Sequence, residues 1–150
     1  MFSKENIQIT HGITLISLRE MPSDVCLLAD IFESIAQHEI NIDMISQTPP
    51  RGNTLDVSFT VSDEEMAKVL TLTNQLSKEF AGIGTVVSSN NVKLTVSESS
   101  MNTRPGMANV IFRAAAKADA DIKLITTADT EVSLLVSFCN EADFVENLIR

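Results

Sequence analysis

The sequence predicts an α+β fold made of two copies of one βαββαβ unit in tandem, with the first copy inserted in the second. Three observations carry this. Hydrophobic spacing switches repeatedly between a period of 2 and a period of 3.6. A stretch in the first third of the chain returns without gaps in the last third. The second copy is one strand short, while an extra strand precedes the first copy.

The elements follow in order. NIQIT (6–10) reads as a strand, and His11-Gly12 gives the chain a turn where it must change sheets. A strand over 13–18 comes next. In VCLLADIFESIAQ, Val25, Leu28, Ala29, Phe32, Ile35 and Ala36 share a face with Asp30, Glu33 and Gln37 opposite, which predicts a helix over 24–38. INIDMISQ gives a strand over 40–47. DVSFTVS points Val57, Phe59 and Val61 one way and Ser58 and Thr60 the other, a half-buried strand over 55–62. Ser62 and Glu65 have the form of a capping box ahead of Met66, Val69, Leu70 and Leu76, so a helix covers 63–79. IGTVVSS (83–89) is the last strand of this copy. The second copy offers strand 92–97, helix 105–118, strands 121–127 and 131–138, and a helix 140–150 that Asn140 and Asp143 open ahead of Phe144, Val145 and Leu148.

The copies align closely. IFESIAQHEINIDMIS (31–46) matches IFRAAAKADADIKLIT (111–126), pairing Ile31 with Ile111, Phe32 with Phe112, Ala36 with Ala116, Ile42 with Ile122 and Ile45 with Ile125. DVSFTVS then matches EVSLLVS at an offset of 75, because the connection after the first of these strands is five residues longer in the first copy. The first copy alone completes the split βαβ of ferredoxin-like folds. The simplest repair of the second is that the N-terminal strand supplies its missing edge. This makes residues 12–89 one domain and residues 90–150, completed by strand 6–11, the other.

Composition excludes several functions. A chain of 150 residues buries about 68 to 70% of its unfolded surface and needs no staples. Its net charge of -9, from 11 basic and 20 acidic residues with no basic cluster, repels nucleic acid and anionic membranes. No Trp or Tyr is present, and at least five of the seven Phe sit in patterns that read as core, which leaves little for base stacking. The start lacks the pattern of a secretory signal and no apolar run reaches the roughly 18 residues of a membrane span, so a cytoplasmic protein is expected. Cys26 and Cys139 lack CxxC spacing and are expected to be reduced thiols. His11 and His38 have no cysteine or carboxylate pattern around them, so no metal is expected. There is no Ser-His-Asp context and no phosphate loop; the expectation is a non-catalytic protein without a cofactor.

Taken together, INIDMISQ, DVSFTVS, NTRPG, ADIKLITT and EVSLLVS resemble the paired ACT domains at the C-terminal end of aspartate kinases, over nearly the whole chain. Nothing resembles the kinase part. The resemblance implies an allosteric module of lysine biosynthesis, a homodimer whose four ACT units stack side by side. An amino-acid effector of the lysine or threonine class would be held where a first unit meets its partner's second unit. A kinase catalytic subunit is a further implied partner, whether the chain is a free regulatory subunit or a piece of a longer kinase.

Carried over residue by residue, the family's first-copy effector loop, commonly P-D-K-P-G, falls on Pro22, Ser23, Asp24, Val25 and Cys26, of which only Pro22 matches. The Asp that receives the effector's ammonium is Ser23, and the Gly that lets an amide approach a carboxylate is Cys26. Gln47 sits where the family keeps an effector-binding Gln. The second-copy loop is Asn102, Thr103, Arg104, Pro105 and Gly106. The Asn-Ile pair whose backbone bonds the effector stands as Asn41-Ile42 and, in the second copy, as Asp121-Ile122.

Each candidate has a plainer reading. Asp24 either takes the ammonium in place of the missing Asp or caps the first helix. Pro105-Gly106 serves a ligand carboxylate or is good helix-start chemistry. Asn41 and Asp121 are residues of a seam between subunits, or Asn41 and Asp43 occupy a solvated face or cap the turn. Asn109 stands on an otherwise apolar face, where a buried amide needs partners such as the loop or the effector. Two other functions stay in view: an assembly module without effector, and remotely an acylphosphatase-like hydrolase gripping phosphate with Arg19 and Asn41, or Arg104.

Overall fold

A computed structural model describes residues 2–150. The order is β1 (Ile7–Pro22), α1 (Val25–Gln37), β2 (Ile45–Gln47), β3 (Thr54–Ser62), α2 (Met66–Glu79), β4 (Gly84–Ser97), α3 (Met107–Lys117), β5 (Ile122–Thr127), β6 (Glu131–Ser137) and α4 (Glu141–Ile149). The chain divides into two units, Ile13–Ser89 and Met1–Gly12 with Asn90–Arg150.

In the unit Ile13–Ser89 the strands lie in the order β2-β3-β1-β4, the later part of β1 and the earlier part of β4 belonging here. β1 and β3 are antiparallel, from Ile13 opposite Ser62 to Pro22 opposite Thr54. Of the alternation expected of β3, Val57, Phe59 and Val61 are buried with Ile16 and Leu18 of β1 in one core and Ser58 is half-buried, but Thr60 is fully buried as well. Burying side chains of this size stabilises by about 1.5–3 kcal/mol each.

The face that α1 buries differs from the expected one. Leu27, Ile31 and Ile35 are buried with Leu28 and Phe32 packed beside them, whereas Val25 is 77% exposed and Ala29 and Ala36 face solvent. Asp24 caps the helix, which puts Val25 on the outward side of the first turn.

Other local expectations are corrected. Of the strand expected over 40–47, only Ile45–Gln47 is ladder. Upstream, Asp43 and Met44 still bond to Thr60: its carbonyl accepts the Asp43 N–H at 3.2 Å, its N–H donates to the Met44 carbonyl at 3.0 Å, and its Oγ1 accepts the Met44 N–H at 2.9 Å. Ile40 and Met44 are buried all the same. His11-Gly12 makes no reversal, because β1 runs through it with Gly12 at φ +68, a left-handed residue that kinks a strand without ending it. The Ser62 capping box is half formed. Ser62 Oγ accepts the Glu64 N–H at 3.2 Å, a 3-10 turn (Asp63–Glu65) precedes α2, and the Glu65 carboxylate pairs with Lys68 instead.

In the other unit the order is β1-β4-β6-β5, using the start of β1 and the end of β4. β4 and β6 pair from Asn91 opposite Ser137 to Ser97 opposite Glu131. Its core joins Val92, Leu94 and Val96 to Leu134 and Val136, with Ile111, Ala114 and Ala115 of α3 and Phe144 and Leu148 of α4 above them. Phe2 enters this core at 3% exposure, and its N–H donates to the Leu148 carbonyl at 3.1 Å. Asn6 Nδ2 donates to the Ser97 carbonyl at 2.9 Å.

Here too a 3-10 turn (Phe138–Asn140) precedes the helix, and Asn140 makes no side-chain cap. Its Oδ1 faces the Asp121 N–H at 3.4 Å. α3 begins at Met107, two residues later than expected, because Gly106 at φ +93 is its N-cap. Of the seven Phe only four belong to the cores: Phe2, Phe59 and Phe144 are buried and Phe32 packs edge-on to Phe59, while Phe80, Phe112 and Phe138 are exposed.

Candidate functional site

The first candidate loop leaves β1 at Pro22 and enters α1 at Val25. Ser23 donates its N–H to the Asn53 carbonyl at 2.8 Å, tying the loop to the hairpin between β2 and β3. The Asp24 carboxylate accepts the Cys26 N–H at 2.9 Å. Asp24 is thus a helix cap, and the amide at the position where the aligned family loop has Gly is occupied by the protein itself. Ser23, Asp24, Val25 and Cys26 are all exposed.

The second loop is differently made. Gly106 caps α3 with no side-chain acceptor, so the helix start lacks the internal carboxylate partner that α1 has. Asn102, Arg104 and Gly106 line a pocket of about 480 Å³, open to solvent, whose far wall includes Asp129 and Val132. It thus holds a guanidinium and a carboxylate. Helix-start amides and Arg104 suit an anionic group, and Asp129 a cationic one. Asp129 had no signal in the sequence beyond its place in the ADT turn between β5 and β6.

Neither loop meets the Asn-Ile pair of its own unit. In Ile13–Ser89, Pro22 is level with Thr54 of β3, whereas Asp43 is bonded at Thr60. Six positions along a strand span roughly 20 Å. Asn41, exposed, and Ile42, half-buried against the core, therefore lie toward the opposite end from Ser23–Cys26. Gln47, exposed and level with Val57, lies nearer the loop. In the other unit, Ser97 is level with Glu131 and Ile122 with Val136, so exposed Asp121 and half-buried Ile122 are likewise toward the far end from Asn102–Gly106. Asn109 is exposed on α3, and the buried amide expected there is not found. Lys123, aligned with Asp43, donates from Nζ to Oδ1 of the fully buried Asn91 at 2.5 Å.

Arg19 and Asn41 are not brought together. Arg19 lies within β1, not on a loop, and Asn41 lies toward the other end of that unit's sheet. Cys26 and Cys139 are exposed and free, and no helix among the described residues is long and apolar enough to cross a membrane. No group of three or more metal-ligating side chains occurs among them either.

A family model described as the ACT domain matches residues 16–80, which fall inside the unit Ile13–Ser89. Residues 16–80 resemble an ACT domain. Aspartokinase 2 of Bacillus subtilis is 30% identical over 144 residues, covering 95% of this chain and 35% of the relative. The chain spans about a third of the length of the curated aspartokinases it matches. The ligand-free regulatory subunit of aspartate kinase from Thermus thermophilus superposes with a TM-score of 0.85 at 20% identity, covering 95% of this chain and 93% of that one. Aspartokinase III of E. coli, in complex with lysine and aspartate in its T-state, superposes with a TM-score of 0.72 at 19% identity, over 95% of this chain and 31% of that one. Within the matched region the candidates are Ser23–Cys26, Asn41, Ile42 and Gln47; it does not reach Asn102, Arg104, Gly106, Asn109, Asp121 or Ile122.

Proposed function

We propose that the chain is the effector-sensing regulatory region of an aspartate kinase, built from two ACT units of which the first is inserted in the second. It works as a homodimer beside a kinase catalytic part, and it binds an amino acid of the lysine or threonine class between ACT units of the two protomers. The supporting observation is the separation just described: each loop and the strand opening of its own unit lie toward opposite ends of the sheet. A site that uses a loop and an Asn-Ile backbone together needs a second unit to supply one of them.

Of the two loops, Asn102–Gly106 is the better receptor. Its pocket offers Arg104 to a carboxylate and Asp129 to an ammonium, and a carboxylate there would meet helix-start amides that no side chain caps. The complex of the E. coli enzyme with lysine supports the same ligand class. A ligand shifts the equilibrium between conformations only by its differential affinity for them. The loops, joined directly to β1 and α1 or to β4 and α3, are placed to report such a difference.

A second reading, assembly without effector, rests on one specific observation: Asp24 already holds the Cys26 amide, and Ser23 stands where the family loop has its Asp. A dye-reported thermal scan of the full chain against the twenty amino acids, with sedimentation in parallel, separates the two. An effector at 100 times its Kd stabilises by about 2.7 kcal/mol. This amounts to roughly 5 to 10 °C for a chain of this size. A dimer with no shift from any amino acid would establish the assembly role, and a monomer at high concentration would refute both.

A further inference from the structure

A cavity of about 200 Å³ opens between α1 and α2 in the unit Ile13–Ser89. Its floor is the core itself: Leu18, Ile31, Phe59 and Val69, each at most 3% exposed, line it. An apolar cavity of about 150 Å³ stays dry and accepts a benzene ring. At the rim stand two carboxylates, Asp30 and Glu79, and no Lys or Arg is among the lining residues. Thr73 is 2% exposed and lines it too; its hydroxyl donates to the Leu70 carbonyl at 3.1 Å, which leaves the oxygen's lone pairs to accept.

The repeat explains the space. At the offset of 75, which also superposes the two 3-10 turns, Val69 stands where the other unit has Phe144 and Thr73 where it has Leu148, both fully buried. On the facing helix, Ile35 stands where the other unit has Ala115. One unit thus sets large side chains on its second helix against small ones on its first, and the other reverses the order and leaves a gap. Packing contacts missing from such a gap lower stability, and an apolar occupant would restore them.

We propose that this cavity binds a small amphipathic amine, with an aromatic or branched apolar body on Phe59 and Val69 and an ammonium between Asp30 and Glu79. A carboxylate on the ligand would be repelled by that rim, so free amino acids are poor occupants. The site is therefore independent of the effector reading.

Benzylamine is the probe, titrated into the full chain with methyl NMR and calorimetry, with benzoate as its charge-reversed counterpart. Saturable benzylamine binding that shifts the Ile31, Val69 and Leu72 methyls, at least tenfold tighter than benzoate, is expected. Val69→Phe, the residue of the other unit, abolishes it; should that variant misfold, Thr73→Leu fills the same space. Asp30→Asn with Glu79→Gln removes the preference over benzoate. No saturable binding, equal affinity for benzoate, or undiminished binding to a folded cavity-filled variant would overturn the proposal.

Discussion

Asp24 holds the Cys26 amide at 2.9 Å, and so closes the first loop on itself. A helix cap of this kind stabilises by about 1 kcal/mol. Asp24→Ala should therefore lower the melting temperature by roughly 2 to 4 °C. Asp24→Ser, which keeps an acceptor, should recover most of it. Thermal unfolding of the three proteins side by side checks this.

Gly106→Ala tests the second loop through its backbone. A Cβ at this position meets nothing within 4 Å, so sterics with neighbours contribute nothing and only the φ of +93 opposes the change. A left-handed conformation costs a residue with a Cβ about 1–2 kcal/mol. The urea midpoint should fall while the slope stays constant. Amino-acid binding, where present, should weaken in Gly106→Ala and remain in Asp24→Ala.

Thr60→Val removes the Oγ1 that accepts the Met44 N–H. Thr60 is fully buried and Met44 2% exposed, so the amide is left without a partner away from water. The expected loss is about 1–3 kcal/mol. Hydrogen exchange at Met44 should accelerate beyond the global effect, and Thr60→Ser should protect it again.

Phe2→Ala probes the attachment of the N-terminal segment. Truncating a buried Phe costs about 3–5 kcal/mol. Exchange protection should drop at Val92, Leu134 and Phe144, which share its core, and hold at Val57 and Phe59, which belong to the other cluster.

The sequence was legible where pattern alone decides structure. Alternation in 55–62 and 131–138 located β3 and β6, and the gapless repeat of 31–46 in 111–126 announced the α+β units. It misled where one side chain overrides a pattern. Nothing in INIDMISQ says that the Met44 amide goes to the side chain of Thr60, on another strand. The stripe of α1 was misassigned because Ala29 and Ala36 suit either face and Asp24 sets the phase. Asn109 was expected inside because it aligns with Ala29, yet both positions are exposed. At the candidate site, the loops were visible as departures from a motif, whereas Asp129 and the cavity beside Val69 depend on tertiary placement that local spacing does not encode.

The bond from the Phe2 amide to the Leu148 carbonyl joins residues far apart in the order of synthesis. Elongation at about 5–20 residues per second separates their appearance by roughly 7 to 30 seconds. During that interval Ile13–Ser89 is contiguous and complete, free to fold on the ribosome, while Phe2 waits with its ring uncovered. The unit that holds Phe2 therefore closes only once α4 has emerged, later in synthesis than Ile13–Ser89.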